Sequence, residues 1–176
     1  MRIFEKFITD YPQLAVCKED ILKAYNLLND TIKEGGRIYT CGNGGSASDC
    51  QHIVGEMMKG FIKKRPVAFP LEIAEKLSVQ TSGFLSGKLQ GAIPCHSLVS
   101  EIALITALCN DVSADIIFAQ QIYGYAKKGD CLIGISTSGN AVNVNLAVEL
   151  AIAMGLRTIV MTGQNGANFH FLPMML

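Results

Sequence analysis

Cys41 to Phe61, CGNGGSASDCQHIVGEMMKGF, constrains the fold more than any other stretch, because an apolar strand run (Arg37 to Cys41) enters a glycine loop and leaves it as a helix. Glycine at 42, 44 and 45 suits a turn that needs positive φ, or a backbone that must approach a ligand closely. Ser46 then stands where the helix starts. Free N–H groups of a first helical turn, the positive end of the helix dipole and a hydroxyl donor make an anion site suited to phosphate. The stretch matches neither GxxxxGK[ST] nor GxGxxG, so nucleotide motifs do not explain it. A serine-capped turn without a ligand is the competing reading of these residues taken alone.

On the same helix, His52 and Glu56 are spaced i, i+4, which puts an imidazole and a carboxylate on one face a turn apart. Such a pair can share a divalent metal, place a base beside a substrate, or simply face solvent. A second junction of the same type follows. Cys131 to Ile135 is a short apolar run fitting a central parallel strand, and Ser136-Thr137-Ser138-Gly139-Asn140 leads from it into a helix over Ala141 to Met154. Adjacent hydroxyls can surround a phosphate with neutral donors, and ligands of open α/β sheets bind at the carboxyl ends of strands.

The rest of the chain limits the class. Its 176 residues, 49% apolar, fit a single domain with a real core. Fifteen basic residues balance fifteen acidic ones, which argues against nucleic acid and membrane surfaces as partners. The charged N-terminus lacks an apolar signal core and no apolar run reaches membrane length, so a cytoplasmic location is expected. Six cysteines without CxxC spacing read as buried thiols rather than disulfides or a zinc knot.

In chain order, helical patterns over Ile3 to Ile8 and Leu14 to Ile32 precede the first strand, and Gly35-Gly36 ends the second. Lys59 to Pro70 is a basic loop that reads as a solvated charge run, with a phosphate clamp as the alternative. Leu71 to Gln90 reads as a helix and a polar stretch, Gly91 to Leu98 as the second strand, and Val99 to Cys109 as a helix with Asn110-Asp111 as the turn beyond it. His96 is taken as structural. A helix over Asp115 to Ala126, a strand over Arg157 to Thr162 and a turn over Gly163 to Gly166 complete the pattern.

The run GNGGSASDxQHxxxEM, with GISTSGN further on, resembles the two signatures of the SIS (sugar isomerase) domain, specifically of the phosphoheptose isomerase type. The resemblance implies a flavodoxin-like three-layer α/β sandwich, with a parallel sheet of about four to five strands and N-terminal helices over 1–35. It also implies isomerisation of sedoheptulose 7-phosphate to a manno-heptose 7-phosphate through an enediol. By resemblance Glu56 is the catalytic base. Asn43, Gly44, Gly45, Ser46, Glu56, Asn110, Asp111, Ser136, Thr137 and Ser138 bind substrate, and His52 with Glu56 holds zinc. A homo-oligomer, dimer or tetramer, is expected. The chain departs from the family pattern in an insertion over 68–91, in Ala141 where a serine is usual, and in an atypical tail over 167–176 without the C-terminal glutamine and histidine. A non-catalytic phosphosugar-binding module and an isomerase for another phosphosugar are the alternatives.

Overall fold

The computed structural model describes residues 2–163. Four strands form one sheet: β1 (Ile38–Gly42), β2 (Cys95–Ser97), β3 (Cys131–Ser136) and β4 (Arg157–Thr162), in the order β2-β1-β3-β4. All three pairings are parallel. β1 and β3 are buried along their whole length. That is why both read as unbroken apolar runs, since a parallel sheet carries helices on both faces.

The alternation along each strand divides the core in two. Tyr39, Cys41, Leu132 and Val160 point to one face, where Leu98, Ile122, Val144, Ala147 and Val148 cover them. Ile38, Cys131, Ile133, Ile135 and Ile159 point to the other, packed by Cys50, Ile53, Val54, Leu27 and Leu28. The covering helices are α6 (Ile102–Asp111), α7 (Ala119–Tyr125) and α8 (Val142–Ala153) on the first face, and α2 (Lys18–Lys33) and α3 (Gly45–Met58) on the second. A helix α1 (Arg2–Asp10) precedes them. The result is the expected three-layer sandwich, with four strands among the described residues.

At the amino ends of the strands, the buried Asp130 carboxylate accepts from the backbone N–H groups of Arg37 and Lys127, both at 2.8 Å. Arg157 forks onto both carboxylate oxygens of Glu34 at 2.8 Å and donates to the Gly129 carbonyl. These contacts fix where β1, β3 and β4 begin.

Several expected boundaries shift for identifiable reasons. The helix expected from Leu14 starts instead as a 3-10 turn, Pro12–Cys17, and becomes α-helical at Lys18; Gly35 at φ 76° ends it. The second strand shrinks to Cys95–Ser97 because Gly91 and Ile93 donate to the carbonyls of Arg65 and Met57, and Pro94 has no N–H. The Asp115 to Ala126 helix divides into a 3-10 turn, Ala114–Ile116, and α7. Within 68–91 lie two short helices, α4 (Leu71–Ala74) and α5 (Val79–Ser86), the latter capped by Ser78. Lys59, Lys63 and Lys64 are exposed and form no ion pair among the described residues. Arg65 instead closes the end of α3 by donating to the carbonyls of Glu56 and Met57.

Cys41, Cys50, Cys95 and Cys131 are buried, Cys17 is half-buried and Cys109 exposed, and all six thiols are free. Among the described residues no helix is long and apolar enough to cross a membrane. Residues 164–166 of the expected turn, the 167–176 tail and His170 lie outside the described residues.

Candidate active site

The chain enters the sheet at β1, steps outward to β2 and then crosses back to β3. Between β1 and β3 the winding reverses, and the crevice of an open α/β sheet lies at the carboxyl ends there. Both loops singled out in the sequence emerge at that point.

In the first loop, Gly42 lies against β3 so closely that a Cβ would stand 2.8 Å from Ser46 Cβ and 2.9 Å from the Ile135 carbonyl oxygen. Gly44 turns the chain at φ 57° and precedes α3, which has no side-chain cap. Ser46, expected at the helix start, is buried inside the first turn instead. The first N–H groups of α3 are therefore left to solvent or a ligand, and Gly45 is exposed with nothing within 4 Å of a Cβ position.

The second loop is held by its own bonds. Gly139, at φ 68°, donates to the Ser136 carbonyl at 2.9 Å, and the Asn140 N–H donates to Ser138 Oγ at 3.2 Å. Asn145 on α8 donates to the Gly139 carbonyl, while Gly163 beyond β4 donates to the Thr137 carbonyl at 3.0 Å. Thr137 and Ser138 remain exposed, and Ser136 is buried. Ala141, the cap residue of α8, supplies no side-chain bond, so the first N–H groups of α8 are free as well.

The first loop bonds to the start of the helix that leaves the second, because Asn143 lies in the first turn of α8. Asn43 Nδ2 donates to Asn143 Oδ1 at 2.8 Å, and Asn143 Nδ2 donates back to Asn43 Oδ1 at 3.2 Å. Nothing in the local pattern marked Asn143; the only signal was a second asparagine three positions after Asn140.

His52 and Glu56 lie further along α3, with Nε2 and Oε1 3.8 Å apart. The imidazole is 80% exposed and the carboxylate 38%. With Asp49, Ile53 and Met57 they line a recess of about 270 Å³. A structural zinc site takes four ligands and a catalytic one at least three from protein. His52 and Glu56 are two, and no group of three or more His, Cys, Asp or Glu side chains able to hold a metal occurs among the described residues. The described residues alone do not fit zinc.

Asn110 and Asp111 correct the sequence reading. They form the last turn of α6 rather than a turn beyond it, are exposed, and bond to each other, Asn110 Nδ2 to Asp111 Oδ1 at 2.6 Å. Among the described residues no hydrogen bond joins them to either loop or to the His52 and Glu56 pair. His96 sits at the β2 edge between the rings of Tyr39 and Tyr125, 3.7 Å from Glu101, lining a larger cavity of about 620 Å³. That cavity includes Arg37 and Pro94 from the amino ends of the strands, so its size does not make it the candidate site.

An open parallel sheet whose glycine loop and hydroxyl-rich loop leave it at the switch point defines a doubly wound α/β protein. SIS domain models match residues 13–86 and 84–169. The phosphoheptose isomerase of Akkermansia muciniphila is 36% identical over 157 residues, 89% of this chain and 70% of the relative. That of Citrifermentans bemidjiense is 36% identical over 148 residues, 84% of this chain and 64% of the relative. The solved phosphoheptose isomerase of Neisseria gonorrhoeae superposes with a TM-score of 0.67 at 28% identity, covering 95% of this chain and 71% of that one. The chain belongs to the SIS domain family, with the phosphoheptose isomerases. It spans about two thirds of the length of these relatives.

Proposed function

We propose that this protein isomerises sedoheptulose 7-phosphate to D-glycero-D-manno-heptose 7-phosphate, binding the phosphate between the two loops and exchanging the proton at Glu56. The observation that carries it is the emergence of the Gly42–Ser46 and Ser136–Asn140 loops at one switch point, with Asn43 bonded to Asn143 on the helix that leaves the second and a carboxylate on the helix that leaves the first. The reading rests equally on the family's shared activity.

The phosphate would meet the free N–H groups of α3 and α8 with the hydroxyls of Thr137 and Ser138. Neither loop contains a lysine or arginine, so recognition falls to neutral donors and helix dipoles. Ala141 contributes no hydroxyl. Glu56 is eleven residues after Gly45, roughly 16 Å along α3, and side chains lean back toward the helix N-terminus by up to about a turn. A reach of about 11 Å results. An extended seven-carbon sugar phosphate spans about 10 Å from phosphorus to C1 at roughly 1.2 Å per bond, whereas a three-carbon one falls well short.

In the reaction, the Glu56 carboxylate takes the C1 proton of the ketose, leaving the electron pair in a C1–C2 enediol. A proton passes from O1 to O2, and the Glu56 carboxylic acid returns its proton to C2, giving the aldehyde at C1. Phosphate held at the loops keeps both carbons within reach of one base. His52, one turn away, would donate to a substrate oxygen or join Glu56 in holding zinc completed by donors from outside the described residues. Asn110 and Asp111 belong to the same proposal as sugar contacts.

Turnover of sedoheptulose 7-phosphate by this chain and by Glu56→Gln tests the reading. Loss of turnover in the variant with binding retained supports it, and equal turnover removes Glu56 from the mechanism. Binding without turnover in either chain favours a phosphosugar-binding module. Homo-oligomerisation and a cytoplasmic location are also proposed. The exposed apolar side chains of Ile3, Val16, Tyr25, Ile102 and Val112 support assembly, and sedimentation as a monomer at micromolar concentration would oppose it. Cell fractionation tests the location.

A further inference from the structure

Asn143 is in the first turn of α8, Asn43 in the turn after β1, and 100 residues separate them. Their amides pair head to tail, each donating one N–H to the other's carbonyl. A primary amide has two N–H groups, so each keeps one after pairing. Neither side chain makes another hydrogen bond among the described residues, and Asn43 is exposed while Asn143 is half-buried.

The reciprocity matters chemically. A single hydrogen bond leaves an exposed asparagine free to turn its amide over, exchanging donor for acceptor. Two opposed bonds do not, because turning either amide sets oxygen against oxygen and nitrogen against nitrogen. Asn43 then offers its remaining N–H in one orientation at the junction of the two loops. A donor fixed before binding costs less ordering entropy when an oxygen arrives.

We propose that Asn143 is a positioning residue that fixes the Asn43 amide as a donor to an oxygen of the bound sugar phosphate. This rests on the reading of the two loops as the sugar phosphate site. Asn143 acts through its amide pair with Asn43.

The test uses Asn143→Ala, Asn143→Gln, Asn43→Ala and the double alanine variant, with sedoheptulose 7-phosphate as the probe. KM and kcat are measured, with affinity by calorimetry and the Asn43 side-chain amide resonances by NMR. Asn143→Ala is expected to weaken binding about tenfold, the size of one well-placed hydrogen bond, with kcat within about twofold. It should also collapse the dispersion of the two Asn43 amide protons. Asn143→Gln, which can restore the amide pair, should recover part of both effects, and the double variant should bind no worse than Asn43→Ala. Unchanged affinity in Asn143→Ala, or single effects that add in the double variant, overturns the proposal. If the wild-type chain binds but does not turn over the sugar, the isomerase reading falls while affinity and resonances still decide the role of Asn143. If it does not bind, the site reading and this proposal fall together.

Discussion

The three glycines of the first loop are expected to respond differently to alanine, because the structure gives each a different reason to be there. At Gly42, φ is not positive, so backbone conformation carries no penalty. A Cβ would nevertheless stand 2.8 Å from Ser46 Cβ, 2.9 Å from the Ile135 carbonyl oxygen and 3.1 Å from the Ser46 carbonyl carbon. Two of those neighbours are backbone, and the third is anchored in the first turn of α3. Relief requires the start of α3 to move from β3 by about 0.6 Å or more, and overpacking of this kind costs roughly 2–3 kcal/mol. For a domain of this size that is a fall of about 4–12 °C in Tm. Gly44→Ala meets no atom but must hold φ 57° with ψ −121°, outside the left-handed helical well, at about 1–3 kcal/mol. Gly45→Ala meets neither obstacle and lies in a helix, so it is expected to be neutral or to stabilise by about 0.5 kcal/mol. Thermal and urea denaturation of the three variants under one buffer condition decide the matter. Gly42→Ala as stable as the parent, or Gly45→Ala the least stable of the three, would refute the packing argument.

Gly163→Ala is expected to weaken sugar phosphate binding measured by calorimetry, since a Cβ there would stand 2.7 Å from the Thr137 carbonyl oxygen and push the second loop. Asp130→Ala orphans the N–H groups of Arg37 and Lys127 and should cost about 2–4 kcal/mol in urea denaturation; Asp130→Asn, which keeps one acceptor oxygen, should lose about half as much. Burial holds the thiols of Cys95 and Cys131 up, at about 11 and about 12 against an ordinary 9.0. The folded chain therefore keeps protons that the unfolded chain releases above pH 9. The stability these thiols contribute is intact below pH 9 and falls as pH rises through the folded values, by about 1.4 kcal/mol per pH unit for each thiol. Urea midpoints between pH 8 and 11 should show that decline, and Cys131→Ala should make it shallower.

What could be read without coordinates was what is decided locally. β1 and β3 announce themselves as apolar runs because both faces are covered, and β4 was found to the residue. The glycine loop was legible as a tight strand-to-helix turn, although Ser46 lies buried inside the first helical turn and the cap is Gly44. Legibility stopped where a distant partner decides. Gly91 to Pro94 carry strand-like residues, but the N–H groups of Gly91 and Ile93 go to Arg65 and Met57, and only the Pro94 carbonyl reaches β1, accepting from Ile38. Asn110-Asp111 has the composition of a turn, yet the helix continues through it, with Val112 still donating to the Leu108 carbonyl while Leu104, Ile105 and Leu108 pack on the core. Asn143 had no local signature, because its meaning lies in Asn43, 100 residues away.

That separation also governs how the site comes into being. β1 is made early in the chain but pairs with β3, which ends close to residue 136, and the contact between Asn43 and Asn143 closes a loop longer than half the described residues. Loop closure over such a span is a late and slow event in the search for the native state. During synthesis or refolding, the helices can form and the first loop can turn before any sugar phosphate has a place to dock. On the proposed reading, binding competence waits on this long-range pairing, so the ligand stabilises a fold already formed rather than templating it.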